Sequence, residues 1–193
     1  MMTFIVTGNF IENASLLDPQ RLAKQRVEAI QILRIIENGG KWQNHPIVNS
    51  WRPFINALKY YANCIILEFI RRGGNNNLPL FEISSTILVP WWFTWYRLHQ
   101  SHRAMLMRKN PFYYQGKFLV ETEYCKYGYI WPDKVTYEQR YAPLSIITAP
   151  IPKELINPIY CQTILKSGER SGEPCNCLIK KRTYIYCGVH KPK

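Results

Sequence analysis

The spacing of apolar and polar positions divides the first 110 residues into three long helical segments with sharp local boundaries. A short extended start, "TFIVTGNF", precedes "LLDPQRL", where Asp18 suits an N-cap and Pro19 the first helical position. The helix predicted from there runs to "ENGG", where Asn38 and Gly39 supply a left-handed stop. A second start lies at "NHPIV", and an apolar, aromatic run continues through "FINALKYYANCIILEFIRR" to Gly73 and Gly74. Pro53 either kinks that helix or begins its main part. After the loop "GGNNNLPL", the segment "WWFTWYRLHQSHRAMLMRK" has helical spacing and is stopped by Asn110 and Pro111. From about residue 111 the periodicity dissolves into Tyr, Pro and Gly, as in "FYYQGKF" and "TAPIPKELINP", with no internal repeat or low-complexity tract. The pattern predicts a mainly α protein: a compact helical domain over 1–132, a connecting segment over 133–160, and a small C-terminal module of short strands and turns over 161–193.

On the first long helix two faces separate at 3.6 residues per turn. Leu22, Ala29, Ile30 and Leu33 share one face, while Arg21, Lys24, Gln25, Glu28 and Gln31 lie together on the other. Glu28 reads either as a solvated i, i+4 partner of Lys24, worth about 0.3–0.5 kcal/mol, or as a site residue. Arg26 interrupts the apolar face. Its guanidinium must snorkel outward, find a structural partner, or face a polar pocket where it binds phosphate.

Composition adds a partner class. The 193 residues, 47% hydrophobic, suffice for one full core, and 25 Lys+Arg against 13 Asp+Glu give a formal charge of +12. Such a balance favours a polyanionic partner such as nucleic acid and predicts salt-sensitive binding, without naming the partner. The six Trp and 13 Tyr can stack on exposed bases but more often anchor a core, and Trp91, Trp92 and Trp95 read mainly as packing residues. No leader peptide and no apolar run of about 20 residues is visible. A soluble, unsecreted protein of a reducing compartment is therefore expected, without a membrane partner.

Three segments carry histidine. His45, between Asn44 and Pro46, suits a helix start or a site, and Arg52 follows in the same motif. His99, His102 and Arg103 can face one direction on the third helix. With no carboxylate nearby to complete a metal set, they suit phosphate contact or buried hydrogen bonding better. Arg108 and Lys109 extend the basic character of that helix. In the tail, Cys161, Cys175, Cys187 and His190 make a plausible three-thiolate, one-imidazole set for a structural Zn²⁺, with Cys177 a spare close to Cys175. Seven basic residues against two acidic in that tail, among them Lys180, Lys181 and Arg182, suit further phosphate contacts.

The segments "TFIVTGNF", "LLDPQRLAKQRVEAIQILRII", "WQNHPIVNSWR", "LHQSHRAMLMRKNPFYY" and "YGYIWP" are similar, in this order, to a family of small proteins described as pyrimidine-dimer DNA glycosylases, or endonuclease V-like. The resemblance covers roughly residues 2–132. It implies a compact helical protein that cuts a glycosidic bond with an N-terminal amine, uses a helix glutamate for acid–base and electrostatic work, and then cleaves the strand by β-elimination. It places that glutamate at Glu28, with Arg21, Arg26, Arg52, His45, His99, His102, Arg103, Arg108 and Lys109 toward the nucleic-acid backbone. One departure is decisive. The best-understood relative exposes a threonine amine after removal of its first Met, whereas this chain reads Met1-Met2-Thr3, and a Met in second position normally blocks that removal. A Met1 amine or Lys24 is then the replacement.

The tail resembles short Cys/His tails on proteins of large DNA viruses, which would place the chain in the host cytoplasm or nucleus, or in the virion. Two readings result. One is a glycosylase and AP lyase of base-excision repair. The other is a noncatalytic nucleic-acid-binding or virion-associated protein, a component of a larger assembly, that keeps the helical scaffold.

Overall fold

A computed structural model describes residues 1–84, 86–126 and 128–132, together with the backbone of strand 145–147. The described part is mainly α-helical. Helix α1 spans Phe10–Leu16, α2 Pro19–Asn38, α3 Pro46–Trp51, α4 Ile55–Arg71, α5 Tyr96–Lys109 and α6 Pro111–Tyr114. Helix α2 packs chiefly on α4, and α1 covers another side of α4.

The boundaries follow local chemistry. Asp18 caps α2 by accepting from the Arg21 amide at 3.0 Å, with Pro19 in the first turn, and Gly39 at φ 73° ends the helix. Pro53 sits in a 3₁₀ turn, Arg52–Phe54, that separates α3 from α4. Helix α4 closes on a Schellman arrangement in which the Gly73 amide donates to the Ile70 carbonyl and the Gly74 amide to the Phe69 carbonyl. Gly73, at φ 84°, takes the left-handed position. Gly74 is required by space, because a Cβ there would meet the Phe69 ring at 2.3 Å.

Two expectations shift. The predicted third helix begins only at Tyr96, because Trp91–Thr94 forms a 3₁₀ turn and Trp95 adopts an extended conformation. Helix α1 fills the stretch between the extended start read at 3–10, which it overlaps only at Phe10, and the helix predicted from Asp18. Asn9 caps it, accepting from the amides of Ile11 and Glu12, and Phe10, Ala14 and Leu17 are buried at helical spacing. Asn9 followed three residues later by Glu12 was the available signal.

The short strands β1 (Ile87–Val89) and β2 (Ser145–Ile147) pair antiparallel, with Ile87 opposite Ile147 and Val89 opposite Ser145. Strand β2 belongs to the stretch read as a connecting segment and pairs with β1. The tail at 161–193 lies outside the described residues. Aromatic packing fills the core: Phe10 stacks on Phe93 at 4.0 Å, and Trp51 meets Trp92 edge-on at 4.7 Å. Trp92 is fully buried as expected, while Trp91 and Trp95 pack against the core from its margin.

The extended segment Met2–Val6 is buried among these helices, yet it pairs with no strand among the described residues. Side chains from four helices take its backbone groups instead. Gln25 of α2 accepts from the Phe4 amide at 2.9 Å and donates to the Met2 carbonyl at 2.8 Å. His102 of α5 accepts from the Ile5 amide at 2.9 Å, and Asn13 of α1 accepts from Val6 and donates to the Phe4 carbonyl. Arg103 donates to the Val6 carbonyl at 2.8 Å, and Tyr61 of α4 donates to the Phe4 carbonyl. Buried backbone polar groups need partners, and here a sheet is replaced by side chains.

Candidate functional site

Part of the polar stripe of α2 is covered: Lys24 and Gln31 are exposed, whereas Gln25 and Glu28 are buried. The N-terminal strand lies over the covered part, leaving Gln25 1% and Glu28 7% exposed. This overturns the surface-pair reading of Glu28: a carboxylate so buried needs compensating partners. Its Oε1 lies 3.8 Å from the α-amine of Met1 and 3.8 Å from Nζ of Lys24, and its Oε2 accepts from Gln25 Nε2 at 2.9 Å. The two amines differ in setting. The Lys24 side chain is 73% exposed, while Met1 is half-buried, with its side chain 8% exposed. Thr3 is fully buried, its hydroxyl accepting from the Trp51 indole at 2.8 Å.

A cavity of about 330 Å³ opens over this pair, within the size range of ligand clefts. Glu28, Gln25 and the first residues of the chain contribute to its lining, Arg21, Lys24 and Lys109 add three cations, and His45, Tyr129 and Trp131 add rings. The rings form a continuous wall: Trp42 lies against His45 at 5.7 Å, His45 against Trp131 at 5.6 Å, and Trp131 against Tyr129 at 5.7 Å. Burial and then the nearby Glu28 carboxylate hold the Tyr129 phenol above its ordinary pKa, so it stays protonated as a hydrogen-bond donor at neutral pH. Arg21 is steadied by Asp18, whose Oδ2 lies 3.6 Å from Nε and accepts from the Tyr114 hydroxyl at 2.6 Å. The result is an amine and a carboxylate at the base of a basic, ring-lined cleft, a combination able to attack an electrophilic carbon and stabilise a cation beside it.

The structure brings Arg21, Lys24, Glu28, His45 and Lys109 together at this cavity. His45 holds both positions considered for it, since Nδ1 accepts from the Ile47 amide at 3.2 Å and caps α3 while the ring lines the cavity. The remaining candidates lie elsewhere. Arg26 donates to Asn76 Oδ1 at 3.0 Å and lays its guanidinium over the Phe69 ring at 4.3 Å, so its place among apolar residues has a structural cause. Burial lowers its pKa.

His99 is buried with Nε2 at 2.7 Å from the Phe93 carbonyl, and burial lowers its pKa. His102 is likewise buried and depressed to about 3, burial being the main cause. Both imidazoles are neutral at physiological pH and unsuited to holding phosphate as cations. Arg103 serves the N-terminal strand, Arg52 donates to the Gln43 carbonyl at 2.8 Å, and Arg108 is exposed in the last turn of α5.

Sequence reasoning missed Gln25, Tyr129, Trp131 and Trp42 as site residues. The motif "YGYIWP" carried two of them without a role. Among the described residues no group of three or more His, Cys, Asp and Glu is arranged to hold a metal ion. Cys161, Cys175, Cys187 and His190 lie outside those residues. Among the described residues no helix is long and apolar enough to cross a membrane.

Residues 1–82 match the family model described as pyrimidine dimer DNA glycosylase. No curated protein and no solved structure matches the chain. The matched stretch contains Met1, Gln25 and Glu28 and stops before Lys109, Tyr129 and Trp131, so the half of the cleft that holds the amines and the carboxylate is the half that resembles the pyrimidine-dimer DNA glycosylase family.

Proposed function

We propose that the protein is a DNA glycosylase and AP lyase acting on damaged bases, with the Met1 α-amine as nucleophile and Glu28 as the catalytic carboxylate. The observation that carries this reading is the Met1 amine 3.8 Å from the buried Glu28 carboxylate, both lining a cleft with three cations. The amine lone pair forms the bond to C1′ of a deoxyribose as the C1′–N bond to the base breaks, and the base leaves with that pair and takes up a proton. Opening of the sugar gives an iminium. Loss of the C2′ proton expels the 3′ phosphate, and water then hydrolyses the imine.

Glu28 offsets the positive charge at C1′ and relays protons beside the nitrogen. Arg21, Lys24 and Lys109 hold phosphates on either side of the reacting nucleotide. The choice of damage, pyrimidine dimers, is taken from the description of the matching family. For the tail, the proposal is one structural Zn²⁺ held by Cys161, Cys175, Cys187 and His190, with the basic residues around it contacting DNA.

The test is borohydride trapping on duplexes with a pyrimidine dimer or an abasic site, followed by peptide mapping. A covalent adduct on Met1 is expected, and Glu28→Gln should slow strand cleavage by about a hundredfold or more. An adduct on Lys24 transfers the nucleophile to that residue. Bound DNA with no adduct and no cleavage on any substrate overturns the reading and leaves the noncatalytic binder.

A further inference from the structure

The catalytic pair has a second side. Met1 and Glu28 also border another opening, of about 460 Å³, whose remaining lining is Gln31, Arg34, Ile35 and Trp42. The two openings therefore meet at the amine and the carboxylate. Trp42 is 55% exposed, unusual for the largest apolar side chain. The loop that carries it is nonetheless tied down. Gly39 and Gly40 turn at φ 73° and 123°, the Gln43 amide donates to the Gly40 carbonyl, the His45 amide donates to the Trp42 carbonyl, and Arg52 donates to the Gln43 carbonyl. An indole displayed on a fixed loop beside an arginine is built for a planar group carrying negative charge nearby.

We propose that this opening is a second nucleotide subsite, in which the base adjoining the reacting nucleotide stacks on Trp42 while Arg34 takes its phosphate. The inference rests on the glycosylase reading for what occupies the first cavity, and it adds the place of the neighbour. A strand entering past Lys109 and Arg21 presents its reacting sugar at Met1 and Glu28 and continues onto Trp42. Stacking is tolerant of base identity, since every base has a π face. The subsite therefore grips the strand without reading its sequence. It also gives Arg52 a purpose as the tie that keeps the Trp42 loop in place.

The experiment uses a duplex with an uncleavable abasic analogue, so that binding is measured apart from chemistry. 5-Iodouracil placed one nucleotide to either side of the analogue should cross-link on irradiation to Trp42 from one flank only. Trp42→Ala should weaken binding about tenfold, Trp42→Phe should restore most of it, and Arg34→Gln should lower the slope of log K against log salt by about one. No cross-link at Trp42 from either flank, or unchanged affinity in Trp42→Ala, overturns the subsite. Borohydride trapping by the unaltered protein on a natural abasic duplex is run alongside. Failure to trap, with the Trp42 cross-link present, sinks the lyase chemistry and keeps the subsite; trapping without the cross-link does the reverse.

Discussion

Gln25 does more at the candidate site than any charged residue. Its amide oxygen accepts from the Phe4 amide and from the Tyr61 hydroxyl, and its amide nitrogen donates to the Met2 carbonyl and to Glu28. One side chain thereby aligns the start of the chain with the carboxylate it faces. Gln25→Glu keeps the acceptors but loses both donors and sets a second carboxylate against Glu28. Gln25→Met removes all four bonds, leaving buried groups unsatisfied at a cost of about 1–3 kcal/mol each. We expect Gln25→Met to lower the melting temperature substantially. Gln25→Glu should retain more of the fold and of the duplex affinity while shifting the pH profile of imine trapping toward the acid side in which a shared proton is retained. Equal loss of affinity and trapping rate at every pH, in a folded Gln25→Glu, would reduce Gln25 to a packing residue.

At the scale of elements, the N-terminal strand is clamped by helices distant in sequence, and His102 makes one clamp pH-dependent. The Nδ1 that accepts from Ile5 must be unprotonated, and burial depresses the group from 6.5 to about 3. Between those values the unfolded chain binds the proton and the folded chain does not, so stability rises with pH through this window. His102 contributes fully above about pH 6.5, and its contribution is lost as pH falls toward 3. Nearby groups facing the ring are His99, whose pKa is also lowered, and the Phe4 and Tyr129 rings. His102→Asn, which can accept from the same amide without titrating, should flatten the slope of unfolding free energy against pH between 4 and 6 in denaturant melts. An unchanged slope would assign the acid lability to other groups.

Elements were legible where their determinants are local. Asp18-Pro19 and Gly39 mark both ends of α2, and Asn110-Pro111 ends α5. Burial of Gln25 and Glu28 was not legible, because the periodicity of α2 reports which residues share a face and not what covers it. The partner of Arg26 is Asn76, fifty residues on, and that of His102 is Ile5, ninety-seven residues back. No spacing rule connects such positions.

For the whole molecule, the formal charge of +12 is divided between a helical body and a Cys-rich tail. The body concentrates three cations at one cleft, and Arg34 lies at the adjoining opening. A tail this short can build little core of its own, so the proposed metal would supply its folding energy. Native mass spectrometry of the full chain should find one zinc, lost in Cys187→Ser, with the helical circular dichroism of the body retained. A metal-free full chain would end the zinc assignment. The candidate site shows the same division of legibility as the fold: Glu28 and Lys24 were visible as a pair in sequence, whereas the cleft around them exists only once the N-terminal strand and the rings of Tyr129 and Trp131 are brought together.

The sheetless strand at the start of the chain acts as a ruler. Its register is set residue by residue, because Phe4, Ile5 and Val6 each have a different side chain as partner. Gln25 also holds the Met2 carbonyl, so the register of the clamp carries through to the amine. An extended residue spans about 3.3 Å, nearly the whole 3.8 Å separation between the Met1 amine and Glu28. Under the proposed chemistry, a residue added ahead of Met1 should carry the amine away from Glu28 by about that length and slow imine trapping.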